Sequence, residues 1–281
     1  LFGLLAAAPL SAQAAAQGSA RGPDQPRIVA AQVVDEAPII DGLLNDAAWQ
    51  LAPVLDGFVQ RDPVEGNPVS QRTEARVLAD AEALYVAVWA FDEQAQLIIP
   101  GENRRDIDLD QSDAISLVLD TYLDRQNGYV FGTTPAGIEF DGQVAGEGTG
   151  GGVGPTRQQR GTVSGFNKNW DGSWNVAVHR DEAGWYAEFR IPFSILRYGG
   201  GESQDWGLNI ARRIRRGNEE AFWSRVPRQF NLYRVSQAGT LTGIPVPTRR
   251  SAFATPFVLG SASKNYEAGT AAERLGDLGG D

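Results

Sequence analysis

Asp106, Asp108 and Asp110 alternate in the run DIDLD, with Asp113 just beyond. On an extended backbone the three would project to one side at intervals of about 6.6 Å. Like charges so placed repel unless solvent or a cation screens them. A hard oxygen cluster of this kind suits calcium. The EF-hand pattern fails, because Gln111 stands where the turn glycine is needed and Leu117 where the bidentate glutamate is needed. Two readings follow: a calcium site built from Asp106, Asp108, Asp110 and Asp113, or a solvated acidic loop.

Other chemistries find less support. Glycoside hydrolysis needs two carboxylates at a set separation. Asp113, Asp120, Glu139, Asp141 and Glu188 belong to a large pool, so abundance singles out no pair. Asp120 and Asp141 read as turn caps at strand ends. His179 is the single histidine, in WNVAVHRD, with no nucleophile motif to complete a Ser-His-Asp site, and reads as a strand residue. Cysteine is absent, which excludes thiol catalysis, Cys-ligated zinc, iron–sulfur clusters and c-type haem attachment; methionine is absent too. A net charge of −10 argues against nucleic-acid binding. Arg212, Arg213, Arg215 and Arg216 are a local exception, read as a ladder of ion pairs or as a contact for an anionic glycan. The glycines of GEGTGGGVG, residues 146–154, follow no strand-to-helix transition, so they form a flexible loop and not a phosphate cradle.

The elements that must position these groups are strands. Ile115, Leu117 and Leu119 alternate with Ala114, Ser116 and Val118, and Tyr129, Phe131 and Thr133 alternate after a polar turn, with Ile138 and Phe140 opening a third strand. Residues 73–78 and 84–91 form another pair, apolar on both faces of the second and therefore central. Trp174, Val176 and Val178 face inward with Trp185, Ala187, Phe189 and Ile191. Pro192 starts a helical turn. Trp206, Leu208 and Ile210 open a further strand, Phe222 and Trp223 belong to the next, and 239–244 closes the domain. Near the start, residues 38–42 read as a short strand and Asn45 as the cap of the turn carrying Trp49, which plugs one end of the core. Strands with turn signals and almost no amphipathic helix predict an all-β, antiparallel, jelly-roll-like β-sandwich.

The motifs IIDGLLNDAAW, SDAISLVLDTYLDRQNGYVF and WYAEFRIPFSILRY occur in this order. Together they resemble the family 9 carbohydrate-binding-module-like domain, in the version found at the N-terminus of bacterial outer-membrane proteins that continue into a large β-barrel. The resemblance covers roughly residues 28–244. It implies a β-sandwich, a polysaccharide or oligosaccharide partner and the chance of structural calcium. Sugar-binding members clamp their ligand between two tryptophans. Asp110 stands near the place of the first, and Phe230 and Tyr233 occupy the loop of the second. Ser116 on the central strand and Arg213 on the late one match the polar contact positions. The resemblance thus implies Ser116, Arg213, Phe230 and Tyr233 as carbohydrate-binding residues, with half the clamp missing.

Leu1–Leu10 is apolar, and Ala12-Gln13-Ala14 fits a cleavage site, so residues 1–14 read as part of a signal peptide and the chain as a fragment of an exported protein. Periplasm or cell surface, in association with the outer membrane, is the expected location. Residues 15–27 read as a linker, 28–246 as the sandwich and 247–281 as the start of a barrel that would be the domain's own partner. Three functions compete: non-catalytic carbohydrate binding in the service of carbohydrate catabolism, an interaction domain that plugs or gates a barrel, and a glycoside hydrolase.

Overall fold

The computed structural model describes residues 27–148 and 165–247, with the backbone of strands at 162–163, 256–263 and 273–280. The leader-like stretch, nearly all of the linker and most of the glycine run lie outside the described residues. The chain divides into two units, Leu1–Pro247 and Thr248–Asp281.

The first unit is built from strands and short 3₁₀ turns. In chain order they begin with β1 (Ile28–Ala30), β2 (Gln32–Val33), β3 (Val59–Asp62), β4 (Thr73–Ala79) and β5 (Ala83–Phe91). Next come β6 (Ala114–Asp120), β7 (Gly128–Thr133), β8 (Phe140–Val144), β9 (Thr162–Val163) and β10 (Phe166–Asn167). The unit ends with β11 (Asn175–Asp181), β12 (Gly184–Pro192), β13 (Ser203–Ile214), β14 (Glu219–Phe222) and β15 (Gly239–Pro245). The large sheet runs β1-β15-β13-β6-β7-β8-β10-β9, with β14 pairing both β13 and β3; the small sheet runs β11-β12-β5-β4-β2.

The expected sandwich is present, but neither sheet is purely antiparallel. β1 pairs parallel with β15 and β2 pairs parallel with β4. Only Ala31 separates β1 from β2, so the chain passes from one sheet to the other in a single residue and closes an edge of each. Such short edge strands carry little periodicity of their own, because partners distant in the chain define them.

Alternation explains the layers. Ile115, Leu117 and Leu119 of β6 and Trp206, Leu208 and Ile210 of β13 meet Val86, Val88, Trp185, Ala187, Phe189 and Ile191 of the small sheet in the central core. Tyr85, Ala87 and Tyr186 point away from that core and are covered by Leu44 and Trp49. Ala114, Val118, Val130 and Ala211 point outward from the large sheet and are covered by Leu109, Phe166, Val226, Leu232 and Val235. Each sheet therefore has a second apolar layer on its outer face.

Trp49 is fully buried, but on the outer face of the small sheet and not at an end of the sandwich. Residues 38–42 form no strand. The backbone N–H groups of Asp41 and Gly42 instead donate to Glu188 Oε2 at 3.0 and 2.7 Å, which bends the segment inward. The turn Ala47–Leu51 is preceded by Asp46 and not capped by Asn45; the Asp46 carboxylate accepts from Ile39 N at 3.2 Å.

The second unit contains β16 (Pro256–Ser263) and β17 (Glu273–Gly280), paired antiparallel from Pro256↔Gly280 to Ser263↔Glu273. The first of these begins within SAFATPFVLG. The polar tract after it supplies the second. Among the described residues no strands close into a barrel.

Candidate functional site

The outer face of the large sheet carries a row of small residues. Ser116 on β6 lies opposite Ala211 on β13 and Gly132 on β7; Ala211 in turn faces Phe222, and Gly132 faces Phe140. The row thus runs Phe222–Ala211–Ser116–Gly132–Phe140, low in the middle and aromatic at both ends. A Cβ on Gly132 would lie 2.9 Å from Leu109 Cδ1 and 3.0 Å from Ser116 Oγ. Glycine here leaves room for the Leu109 side chain, which itself lines the trough. Above it is a cavity of about 220 Å³, walled by Asp108, Asp110, Arg213, Glu220 and Tyr233.

Hairpin register places the charges. Arg213 pairs with Glu220 across β13 and β14. Arg213 Nη2 lies 3.0 Å from Glu220 Oε1 and 2.9 Å from Asp110 Oδ1, while Glu220 Oε2 meets Arg61 Nη2 at 2.7 Å. The guanidinium is fixed in direction and its charge is compensated twice. Asp108 adds a carboxylate on the rim, exposed to solvent.

The remaining wall is aromatic. Tyr233 stacks on Phe166 with centroids 4.4 Å apart and planes 9° apart, and Phe166 stacks on Phe140 at 5.9 Å. Gly142 makes room for the Phe166 ring, because any side chain there would run into it. Burial pushes the Tyr233 hydroxyl well above its usual range, helped by the charges of Asp108, Asp110 and Glu220, so it is a neutral donor.

Of the residues singled out from the sequence, Ser116, Arg213 and Tyr233 meet at this cavity. Phe230 does not line it: its carbonyl accepts from Arg61 Nη1 at 2.8 Å, and its ring lies 4.4 Å from the Arg234 guanidinium. Tyr233 has one face covered by Phe166 and is half-buried, not the open platform its loop suggested. Glu220, Asn231 and Phe166 were not foreseen. Glu220 had a signal in the carboxylates of EE opposite the arginine run, whereas Phe166 lies on a two-residue strand without periodicity.

The acidic run is not extended. Asp106 has φ of 57° and Leu109–Gln111 forms a 3₁₀ turn, so the alternation that would align the carboxylates is broken. Asp106 lies near Arg105 at 3.5 Å, Asp108 and Asp110 wall the cavity, and Asp113 is buried with Oδ1 accepting from Arg215 N at 2.8 Å. Among the described residues no group of three or more His, Cys, Asp or Glu is placed to hold a metal ion. The four aspartates do not fit a calcium ion.

The other carboxylates serve the fold. Asp120 caps its turn by accepting from the N–H groups of Asp124 and Arg125. Asp141 accepts from Gly172 N and Trp174 Nε1, at 3.0 and 2.9 Å, inside the sandwich. Glu139 pairs with Arg105 at 3.0 Å. None of Asp113, Asp120, Glu139, Asp141 or Glu188 lines the cavity. The arginine run is divided as well: Arg216 pairs with Asp92 at 2.5 Å, while Arg212 is buried and donates to the carbonyls of Gln71, Arg72 and Phe91. Burial pulls the Arg212 guanidinium down to about 10.

No protein-family model matches the sequence, and no curated protein matches it. Solved structures do. A family 9 carbohydrate-binding module from Caldicellulosiruptor kristjanssonii in complex with cellotriose is similar with a TM-score of 0.52 and 14% identity, over 80% of this chain and 95% of that one. The module from the same organism in complex with glucose gives 0.52 and 12%, over 82% and 99%. A Bacteroides uniformis structure gives 0.54 and 12%, over 78% and 99%. The chain has the fold of a family 9 carbohydrate-binding module, and the resemblance read from the motifs is borne out at that level.

Proposed function

We propose that the first unit is a carbohydrate-binding domain, and that its ligand lies in the outer-face trough. The observation that carries this reading is the convergence of Ser116, Arg213 and Tyr233 on one cavity whose floor is kept low by Ala114 and Ala211. A hydroxyl, a guanidinium held in direction and a protonated phenol can read sugar hydroxyls, and the aromatic stack offers apolar surface. The cavity is smaller than the usual small-molecule range of about 300–1,000 Å³, which suits a short stretch of glycan. The named ligands of two structural neighbours, cellotriose and glucose, support the same class.

Export to the periplasm or cell surface, participation in polysaccharide breakdown and attachment to an outer-membrane barrel belong to the same reading. They rest on the leader-like residues 1–14 and on the motif resemblance. Fractionation of cells producing the full-length protein tests the location. Affinity electrophoresis against soluble neutral glycans tests the binding: retention is expected for the chain and should be lost in Gly132→Val, which should still fold and melt cooperatively. Equal mobility of the two on every glycan would sink the proposal.

A further inference from the structure

A second cavity, of about 340 Å³, shares no lining residue with the first. It lies by the opposite end of β7. Tyr129 and Gln143 face each other across β7 and β8, and Tyr129 belongs to the central core, so this opening is on the other side of the large sheet from the trough. The β6–β7 turn adds Tyr122, a residue 56% exposed, and the segment after β12 adds Arg197.

The local bonding leaves particular groups available. Thr121 Oγ1 donates to the Arg197 carbonyl at 2.5 Å, and the Arg197 N–H donates to the Tyr129 hydroxyl at 3.1 Å, which fixes the backbone that carries the guanidinium. The guanidinium itself has no acceptor among the described residues. Asn127 uses its amide N–H on Asp124, which leaves its carbonyl; Asn167 uses its carbonyl on Asn169 N, which leaves its NH₂. Among the described lining residues Arg197 alone carries a charge, and no carboxylate neutralises it. In the trough the opposite holds, since Asp110 and Glu220 both compensate Arg213.

An exposed aromatic ring, amides with free donors and acceptors, and one unpaired planar cation match a ring with an apolar face, several hydroxyls and a carboxylate. We propose that this second cavity binds a uronate residue of an acidic glycan, with Tyr122 stacking on the sugar ring, Arg197 taking its carboxylate, and Asn127, Gln143 and Asn167 reading its hydroxyls. Guanidinium suits that role better than ammonium, because its fork pairs with both carboxylate oxygens. The proposal shares with the preceding one only the ligand class.

Calorimetric titration of the full chain with trigalacturonate, with cellotriose and with acetate at matched ionic strength tests it. Trigalacturonate should bind, more weakly as salt rises. Arg197→Gln and Tyr122→Ala, both at exposed side chains, should each weaken that binding at least tenfold with the melting temperature unchanged. Gly132→Val should leave it within twofold while removing any response to cellotriose, which separates the two sites. The proposal is overturned if trigalacturonate does not bind, if neither variant changes its affinity, or if acetate at equal concentration displaces it, which would make Arg197 a general anion contact.

Discussion

On the outer face of the small sheet, Trp49 is fully buried against Tyr85 and Ala87, edge-on to Trp89, and its indole N–H donates to Glu188 Oε1 at 2.9 Å. On the outer face of the large sheet, the covering loop leaves a cavity over Ala114, Ser116 and Ala211. Both faces began as apolar strand positions that needed a cover. Bulky rings and a carboxylate with three donors closed the first; small residues, with charges held at the rim, kept the second open. The fully buried Glu188 is therefore a latch, and the more accessible Glu220 lines the open cavity.

If the small-sheet face is a closed layer, Trp49→Ala should give the largest effect of any change considered. It removes a fully buried ring and one donor to Glu188, at a cost of about 3–5 kcal/mol. Urea unfolding checks the cost, and glycan retention per folded molecule should not change. A loss below about 1 kcal/mol would mean that this face is not packed as described.

The latch carries a pH signature. Burial raises the Glu188 carboxyl above its ordinary 4.5, against the opposing bonds from Gly42 N, Trp49 Nε1 and Asp41 N. The stabilisation it gives is complete below that ordinary value and is lost as pH rises through the folded-state value. Relative to Glu188→Gln, the parent should therefore lose stability as pH increases from about 4 to 7. The reverse trend would show that its hydrogen bonds outweigh its desolvation.

The same contrast explains what the sequence could reveal. Period-two alternation identified both halves of the central core, because Ile115, Leu117 and Leu119 and their partners obey it without exception. It could not identify β1 and β2, nor the inward bend at Gly42, because a distant sheet edge and the distant carboxylate of Glu188 create them. At the site, Ser116 and Arg213 were legible through strand position and resemblance. The acidic run was misjudged because a 3₁₀ turn and a positive φ at Asp106 replace the extended backbone. Phe230 and Tyr233 are three residues apart in one loop, and only the stack on Phe166 decides which reaches the cavity.

Changes to the open face should separate binding from stability. Gly132→Val displaces the Leu109 side chain that lines the trough and should abolish neutral-glycan retention, at a stability cost of about 1–3 kcal/mol. Arg213→Ala should weaken retention several-fold. Its half-exposed ion pairs make the stability cost about 1 kcal/mol or less. Ser116→Ala is the mildest, removing one hydroxyl worth roughly 0.5–1.5 kcal/mol of binding, read as a two- to tenfold shift in affinity. A variant that lost stability but kept retention would place the site elsewhere.

Titration of the isotope-labelled chain with cello-oligosaccharides, followed by backbone amide shifts, addresses the trough most directly. Saturable shifts should concentrate at Ser116, Gly132, Ala211, Arg213 and Tyr233, while the Trp49 and Glu188 layer stays unmoved. Shifts confined to that closed face, or none with any neutral glycan in the panel, would contradict the assignment of the outer-face trough as a carbohydrate site.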